Sequence, residues 1–252
     1  AYAKNTSKSI QVLNMRIGIL AAIFEEVRPF DGRKDSGLEL AGRPLYYIPH
    51  PIHHVILAIG GLGKVNSAVM SVLMIREQAV ELIIVSGIAG ALDPRLHQEQ
   101  VFFGERLIQH DYGSKLDGEI SVYPAGSVPL GSRKDPAFRL DPGISCLLRS
   151  KLPELKPATI LSGDVFLQCR KTRERLQMEF KAQLVDMESA ATAQAADLFR
   201  VPVLAVRAVS DLAGEKPGRV PPCQMKSAAK ASARTVMKIL DVFPPEITSV
   251  SQ

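Results

Sequence analysis

The 252-residue chain contains no tryptophan, and its aromatic residues amount to only 6%. Its apolar runs are short of the ~18 residues that a membrane-spanning helix needs. Three cysteines (Cys146, Cys169 and Cys223) are too few and too scattered for a disulfide framework, and no Cys-x-x-Cys pair offers zinc a site. A reducing, cytoplasmic setting is the simplest expectation from that count. Neither sign of charge dominates: 31 basic against 26 acidic residues leave +5. The densest basic run, residues 170–175, includes Glu174 and no aromatics. It reads as the solvated face of a helix start, not as a nucleic-acid surface. No membrane or nucleic-acid partner is expected.

What is present describes an ordinary globular chain: 46% hydrophobic and 23% charged residues, with a mean hydropathy of +0.07. Lys4, Lys8 and Arg16 precede an apolar stretch at 17–24, in the manner of a targeting peptide. Glu25 and Glu26 follow at once, however, without a small-x-small cleavage pattern, so a buried strand is the better reading. Residues 1–14 are polar and aperiodic and are expected to form a flexible extension ahead of a single domain over 15–245.

Short Ile- and Val-rich runs at 16–21, 55–59, 82–85 and 203–209 read as strands covered on both faces. Shorter candidates lie at 101–103, 159–161 and 183–185. Helical stretches at 64–77, 174–180, 187–199 and 227–240 alternate with them. That alternation predicts a three-layer α/β fold, with a central mixed twisted sheet flanked by helices. The Gly-, Pro-, Ser- and Asp-rich segment 111–157 has weak periodicity and reads as a long loop over a site or at a subunit contact.

Ligands of α/β sheets bind beyond the carboxyl ends of strands. The first strand delivers Glu25 and Glu26 there, the second Gly60–Gly63, the third Ser86 to Gly90, and the last Ser210 and Asp211. Two others deliver Ser162 to Phe166 and Asp186 to Ser189. Several carboxylates beside closely approaching backbone suit a small-molecule site. The glycine run is neither a Walker loop, because Ala58 and Val65 replace the required residues, nor a GxGxxG fingerprint, because Asn66 takes the last glycine position. Each acid also has a structural reading: Glu188 in the first turn of a helix capped by Asp186, Asp211 in a turn, Glu25-Glu26 at a helix start. His50, His53 and His54 have no acid or cysteine near them in sequence, so no metal site is expected there.

Taken in order, MRIGILAAIFEEV (15–27), GLGKVNSA (61–68), VSGIAGAL (85–92), SGDVFL (162–167), VDMESAATA (185–193) and VRAVSDLA (206–213) resemble the nucleoside phosphorylase superfamily. Within it they are most similar to the 5′-methylthioadenosine/S-adenosylhomocysteine nucleosidases, over about Met15 to Leu240. The resemblance implies a homodimeric enzyme without cofactor or metal that hydrolyses the bond between adenine and a 5′-thioribose. By motif, Glu26 corresponds to the acid that activates water, Glu188 to the carboxylate holding the ribose hydroxyls beside Met187, and Asp211 to the acid that protonates purine N7. Ser210 positions that acid. Phe166 stacks on the base, the Leu167 backbone reads its edge, and Arg207 braces the ribose-binding carboxylate. Ile88, Ala89 and Gly90 line the site. A first helical turn is expected to favour ionised Glu188.

Phosphorylases of this scaffold hold phosphate with arginines, one soon after the first strand, and with a hydroxyl in the SGIAG region. Here Glu25-Glu26 would repel phosphate and Ile88 supplies no hydroxyl, which favours water as nucleophile. A phosphorylase, a nucleosidase for another 5′ group, and a nucleoside-binding protein without activity are the alternatives. The family's interface aromatics after the equivalent of Asp111 are not matched. Tyr123 is the residue left to cover the 5′ group from a neighbouring subunit.

Overall fold

Alternate apolar residues of the central strands pack to opposite faces of one sheet, and this dictates the layering. The computed structural model describes residues 15–117, 119–132, 134–214 and 221–245. Strand β1 (Arg16–Ala21) is buried in all but its first residue and pairs in parallel with β4 (His54–Ile59) on one side and β5 (Leu82–Ala91) on the other. Ile17, Ile19, Leu82, Ile84, Leu204 and Val206 face a core with α3 (Pro142–Lys151) and α6 (Pro222–Val242). Leu20, Ile83, Val85 and Ala205 face a second core with α2 (Lys64–Gln78) and α5 (Ser189–Asp197). Each fully buried Leu or Ile contributes about 1.5–3 kcal/mol. The three layers follow from that division, as expected.

Beyond β4 the sheet continues into β3 (Arg43–Ile48) and β2 (Lys34–Leu40), an antiparallel hairpin. On the other side β5 pairs with β12 (Val203–Leu212), which adjoins β6 (Val101–Gln109), then β10 (Lys156–Ser162) and β11 (Leu184–Asp186). The end of β5 also pairs with β11, Leu184 opposite Ala91 and Val185 opposite Gly90. Five strands therefore close on themselves at one end of the sheet. That closure gathers the ends of β5, β10, β11 and β12 around one point.

Two expected strands end later than their apolar runs. Ser86 to Gly90 belongs to β5, and Ser210 and Asp211 belong to β12, so these residues are not loops beyond strand ends. The ladder continues because small residues there let buried side chains pass behind the backbone. The register between β12 and β5 shifts between Val209 and Asp211. One extra residue on a strand bends it and re-aims its side chains, which here turns Ser210 and Asp211 to a common site. The segment 111–157 is likewise not one loop: it holds β7 (Gly113–Leu116), β8 (Glu119–Val122), β9 (Phe138–Arg139) and α3. Helix α3 is started by Asp141, whose carboxylate accepts from the Ile144 N–H at 3.0 Å, with Pro142 at its first position. The expected extension 1–14 lies outside the described residues.

Candidate active site

A cavity of about 980 Å³ opens where these strand ends meet. Its wall includes Glu26, Ile88, Ala89, Gly90, Phe166, Leu167, Met187, Glu188, Ser210 and Asp211. The structure thus brings these residues together from five separate stretches of chain. Arg207 does not reach the cavity surface; it lies fully buried behind it.

Glu26 stands on α1 (Phe24–Val27), a single turn after β1. One carboxylate oxygen accepts from the N–H groups of Ala22 and Ile23 at 2.8 and 3.3 Å, and the other from that of Ile88 at 2.9 Å. Burial raises its pKa above the usual glutamate range, against the Arg207 charge and these three donors. Gly87 is required beside it, because a Cβ there would collide with Glu26 Oε1 and Arg207 Nη1.

Glu188 is the N-cap of α5 and not part of its first turn. Its Oε1 accepts from the Gly63 N–H at 3.1 Å, and its Oε2 from Arg207 Nη2 at 3.2 Å. Gly63 reaches this position with φ +90°, in the left-handed region where a side chain is strained. The expected preference for ionisation is overturned. Burial pushes the Glu188 pKa up to about 7; Arg207 opposes this, while the charges of Asp186 and Glu26 add to it. Desolvation exceeds the helix-end effect, worth about 0.3–1 kcal/mol.

Asp186, which the sequence suggests as the cap, stands two residues before the N-cap Glu188 and still satisfies N–H groups at the helix start. Its carboxylate accepts from the Ser189 N–H at 3.3 Å and from the Ser189 hydroxyl. It also accepts from Ser162 Oγ at 2.5 Å and pairs with Arg207 Nε at 2.8 Å. Asp186 is thus the inner counter-ion of Arg207, a role that residue spacing did not assign.

Asp211 occupies the other side. Its Oδ1 accepts from Ser210 Oγ at 2.5 Å, and burial raises its pKa with only that hydroxyl opposing among the described residues. Phe166, on the same wall, is 52% exposed. An aromatic face left this open suits stacking on a planar ligand. Its loop is fixed by Asp111, which accepts from the Asp164 N–H at 2.9 Å and pairs with Lys64 at 2.7 Å.

Tyr123 is absent from the cavity wall of its own chain; its hydroxyl donates to the Gly131 carbonyl at 3.2 Å. Ser232 on α6, not singled out from the sequence, donates to the Val206 carbonyl at 3.0 Å and accepts from the Gly87 N–H at 3.1 Å. A serine among the alanines of α6 gives no signal of that contact. Among the described residues, no group of three or more His, Cys, Asp or Glu side chains is placed to hold a metal ion. Among the described residues, no helix is long and apolar enough to cross a membrane.

The chain matches the family model described as the Phosphorylase superfamily over residues 16–241. It is 34% identical over 210 residues to a protein of Mycobacterium bovis named 5′-methylthioadenosine/S-adenosylhomocysteine nucleosidase, covering 76% of this chain and 82% of that one. It is 30% identical to the aminodeoxyfutalosine nucleosidase of Campylobacter jejuni, over 90% of this chain and 99% of that one. The structure superposes on the 5′-methylthioadenosine/S-adenosylhomocysteine nucleosidase of Helicobacter pylori, solved with butyl-thio-DADMe-Immucillin-A. The TM-score is 0.80 at 28% identity, covering 91% of this chain and 99% of that one. With a family match spanning most of its length and a closed strand end carrying the cavity, the chain belongs to the phosphorylase superfamily.

Proposed function

We propose that the protein is an N-glycosyl hydrolase that cleaves adenine from 5′-thioadenosines such as 5′-methylthioadenosine and S-adenosylhomocysteine. The observation that carries this reading is the sharing of one cavity by Glu26, Glu188 and Asp211, each in a different environment. Glycoside hydrolysis by water needs a base at the water and an acid at the leaving group.

In this reading Glu26 accepts a proton from water while the water oxygen bonds to C1′ of the ribose. Asp211, whose pKa burial raises, gives its proton to N7 as the C1′–N9 bond breaks and adenine leaves. Its position also suits acceptance from the 6-amino group of adenine. Phe166 stacks on the base and the Leu167 backbone meets its edge. Glu188 holds the ribose hydroxyls, and its ionised form, which the Arg207 charge favours against burial, opposes the positive charge that develops at C1′ in the transition state. Arg207, Asp186 and Ser189 fix its orientation from behind. The step uses water and no cofactor.

The environment of Glu26 favours water over phosphate. Glu25 stands next to it at the cavity wall, and no arginine lines the cavity among the described residues. Incubation with 5′-methylthioadenosine, with and without phosphate, tests the reading. Free thioribose and adenine in the absence of phosphate are expected; a pentose 1-phosphate formed only with phosphate would make it a phosphorylase. We further propose one catalytic domain over 15–245 and a cytoplasmic homodimer, in which the partner subunit's Tyr123 covers the 5′ group. Three exposed, unpaired cysteines suit a reducing compartment.

A further inference from the structure

A second cavity of about 520 Å³ lies beside the first and is lined by Glu25, Arg28, Pro29, Asp31, Lys226 and Lys230. The two share Glu25 and Lys226. None of the residues placed at the base end (Asp211, Phe166, Leu167) lines the second one. It therefore joins the main cavity through Glu25 and Lys226, apart from the residues placed at the purine.

All its charged side chains come from two elements that pack together: α1 with the turn after it, and α6. Lys226 and Lys230 are one turn apart on α6, so both project from one face. Two carboxylates and three cations line the space, and none of these five makes an ion pair within 4 Å among the described residues. Charges of opposite sign that are gathered around an opening and do not meet leave room for a guest carrying both signs.

We propose that this second cavity is a subsite for a zwitterionic α-amino-acid end of the 5′ group. The carboxylate is taken by Lys226, Lys230 and Arg28, and the ammonium by Glu25 and Asp31. The proposal rests on the nucleosidase reading and narrows it: S-adenosylhomocysteine fills both cavities, whereas 5′-methylthioadenosine leaves the second one to water. A 5′ group with a carboxylate alone would satisfy the cations and leave two acids unanswered.

The test compares kcat/KM for S-adenosylhomocysteine and 5′-methylthioadenosine in the wild-type protein, in K226E and K230E, and in the milder K226Q. Folding is checked by thermal melts. K226E is expected to lower the ratio of the two efficiencies about tenfold, K226Q and K230E about threefold each, and added salt is expected to shrink the wild-type ratio. A ratio that stays constant through all three variants overturns the subsite. The Kd of each nucleoside is measured in parallel on the E26Q background. Absence of adenine from both nucleosides would overturn the hydrolase reading, and the Kd ratio would then decide the subsite by itself.

Discussion

Arg207 and Glu188 form a buried pair, Nη2 to Oε2 at 3.2 Å, in which the guanidinium has no solvent exposure at all. The same side chain meets Asp186 at 2.8 Å through Nε. Asp186, Glu188 and Glu26 all act on its charge, and each holds it in the cationic form against burial. One cation thus compensates a cavity floor that carries three acids.

Removing it leaves those acids without a counter-charge. Breaking a buried pair costs about 3–5 kcal/mol, and for a chain of this size each kcal/mol lowers Tm by about 2–4 °C. Arg207→Ala is expected to lose about 10 °C in a thermal melt. Arg207→Lys keeps one charge but not the fork that reaches Asp186 and Glu188 together, and should fall between. A melt within 2 °C of wild type for the alanine variant would contradict the compensating role.

The raised pKa of Glu188 gives a stability slope of defined sign. Between its unfolded value of 4.5 and its folded value of about 7, the folded protein holds a proton that the unfolded chain has lost. Stability from this group is therefore full below pH 4.5 and is lost as pH rises through 7. Denaturant titrations at pH 5 and pH 7.5 should show a smaller loss across that interval in Glu188→Gln than in wild type. Equal losses would show that the group titrates near its ordinary value in the folded state.

Much of this was legible beforehand, and what was not has local causes. The strand 16–21 and the acids at 26, 188 and 211 stand where apolar runs give way to polar residues, a change that sequence displays. The continuation of β5 through Ser86 and Gly87 was not visible, because glycine and serine signal turns unless a buried partner behind them demands small residues. Strand β2 carries exposed polar residues such as Lys34 and Glu39, and most of β3 is only half-buried, so neither burial nor a long apolar run marked them. The N-cap position of α5 belongs to Glu188, while Asp186, which the sequence suggests as the cap, accepts from the Ser189 N–H from two residues further back. The second task of Asp186 as counter-ion to Arg207 depends on a contact 21 positions away and has no local signature.

The two carboxyls assigned to proton transfer predict the shape of the pH–rate profile. Glu26 must be ionised, and its pKa is raised, so activity falls as pH drops through that value. Asp211 must be protonated, and its pKa is raised too, so activity falls as pH climbs through its own. A bell is expected for kcat/KM on 5′-methylthioadenosine. Asp211→Asn should lower kcat by about 10²–10⁴-fold and abolish the alkaline limb. Retention of that limb in the variant would assign it to another group.

Ser232 ties α6 to the β5 backbone beside the site. Its hydroxyl lies fully buried between the Val206 carbonyl and the Gly87 N–H, with Ser86 Oγ at 3.1 Å. Ser232→Ala leaves that N–H and carbonyl short of a partner, at about 1–3 kcal/mol. A loss of that size in denaturant titration is expected, whereas Ser227→Ala on the same helix, at a half-exposed position, should change stability by less than about 0.5 kcal/mol.

Gly87 separates the site's geometry from its stability. Its missing side chain is where Glu26 Oε1 and Arg207 Nη1 approach the β5 backbone, so a methyl group there must displace one of them. Glu26 is the more movable, since it sits on a single helical turn, while Arg207 is locked by Asp186 and Glu188. Overpacking of this kind costs about 1–3 kcal/mol. Displacing a water-activating carboxylate by 1 Å costs about 10²-fold in rate. Gly87→Ala is therefore expected to fold, with a Tm lowered by a few degrees, while kcat on 5′-methylthioadenosine drops about a hundredfold and KM changes little. A variant with wild-type kcat would mean that Glu26 works from a position the backbone at 87 does not fix, and would remove the main geometric support for its part in activating water.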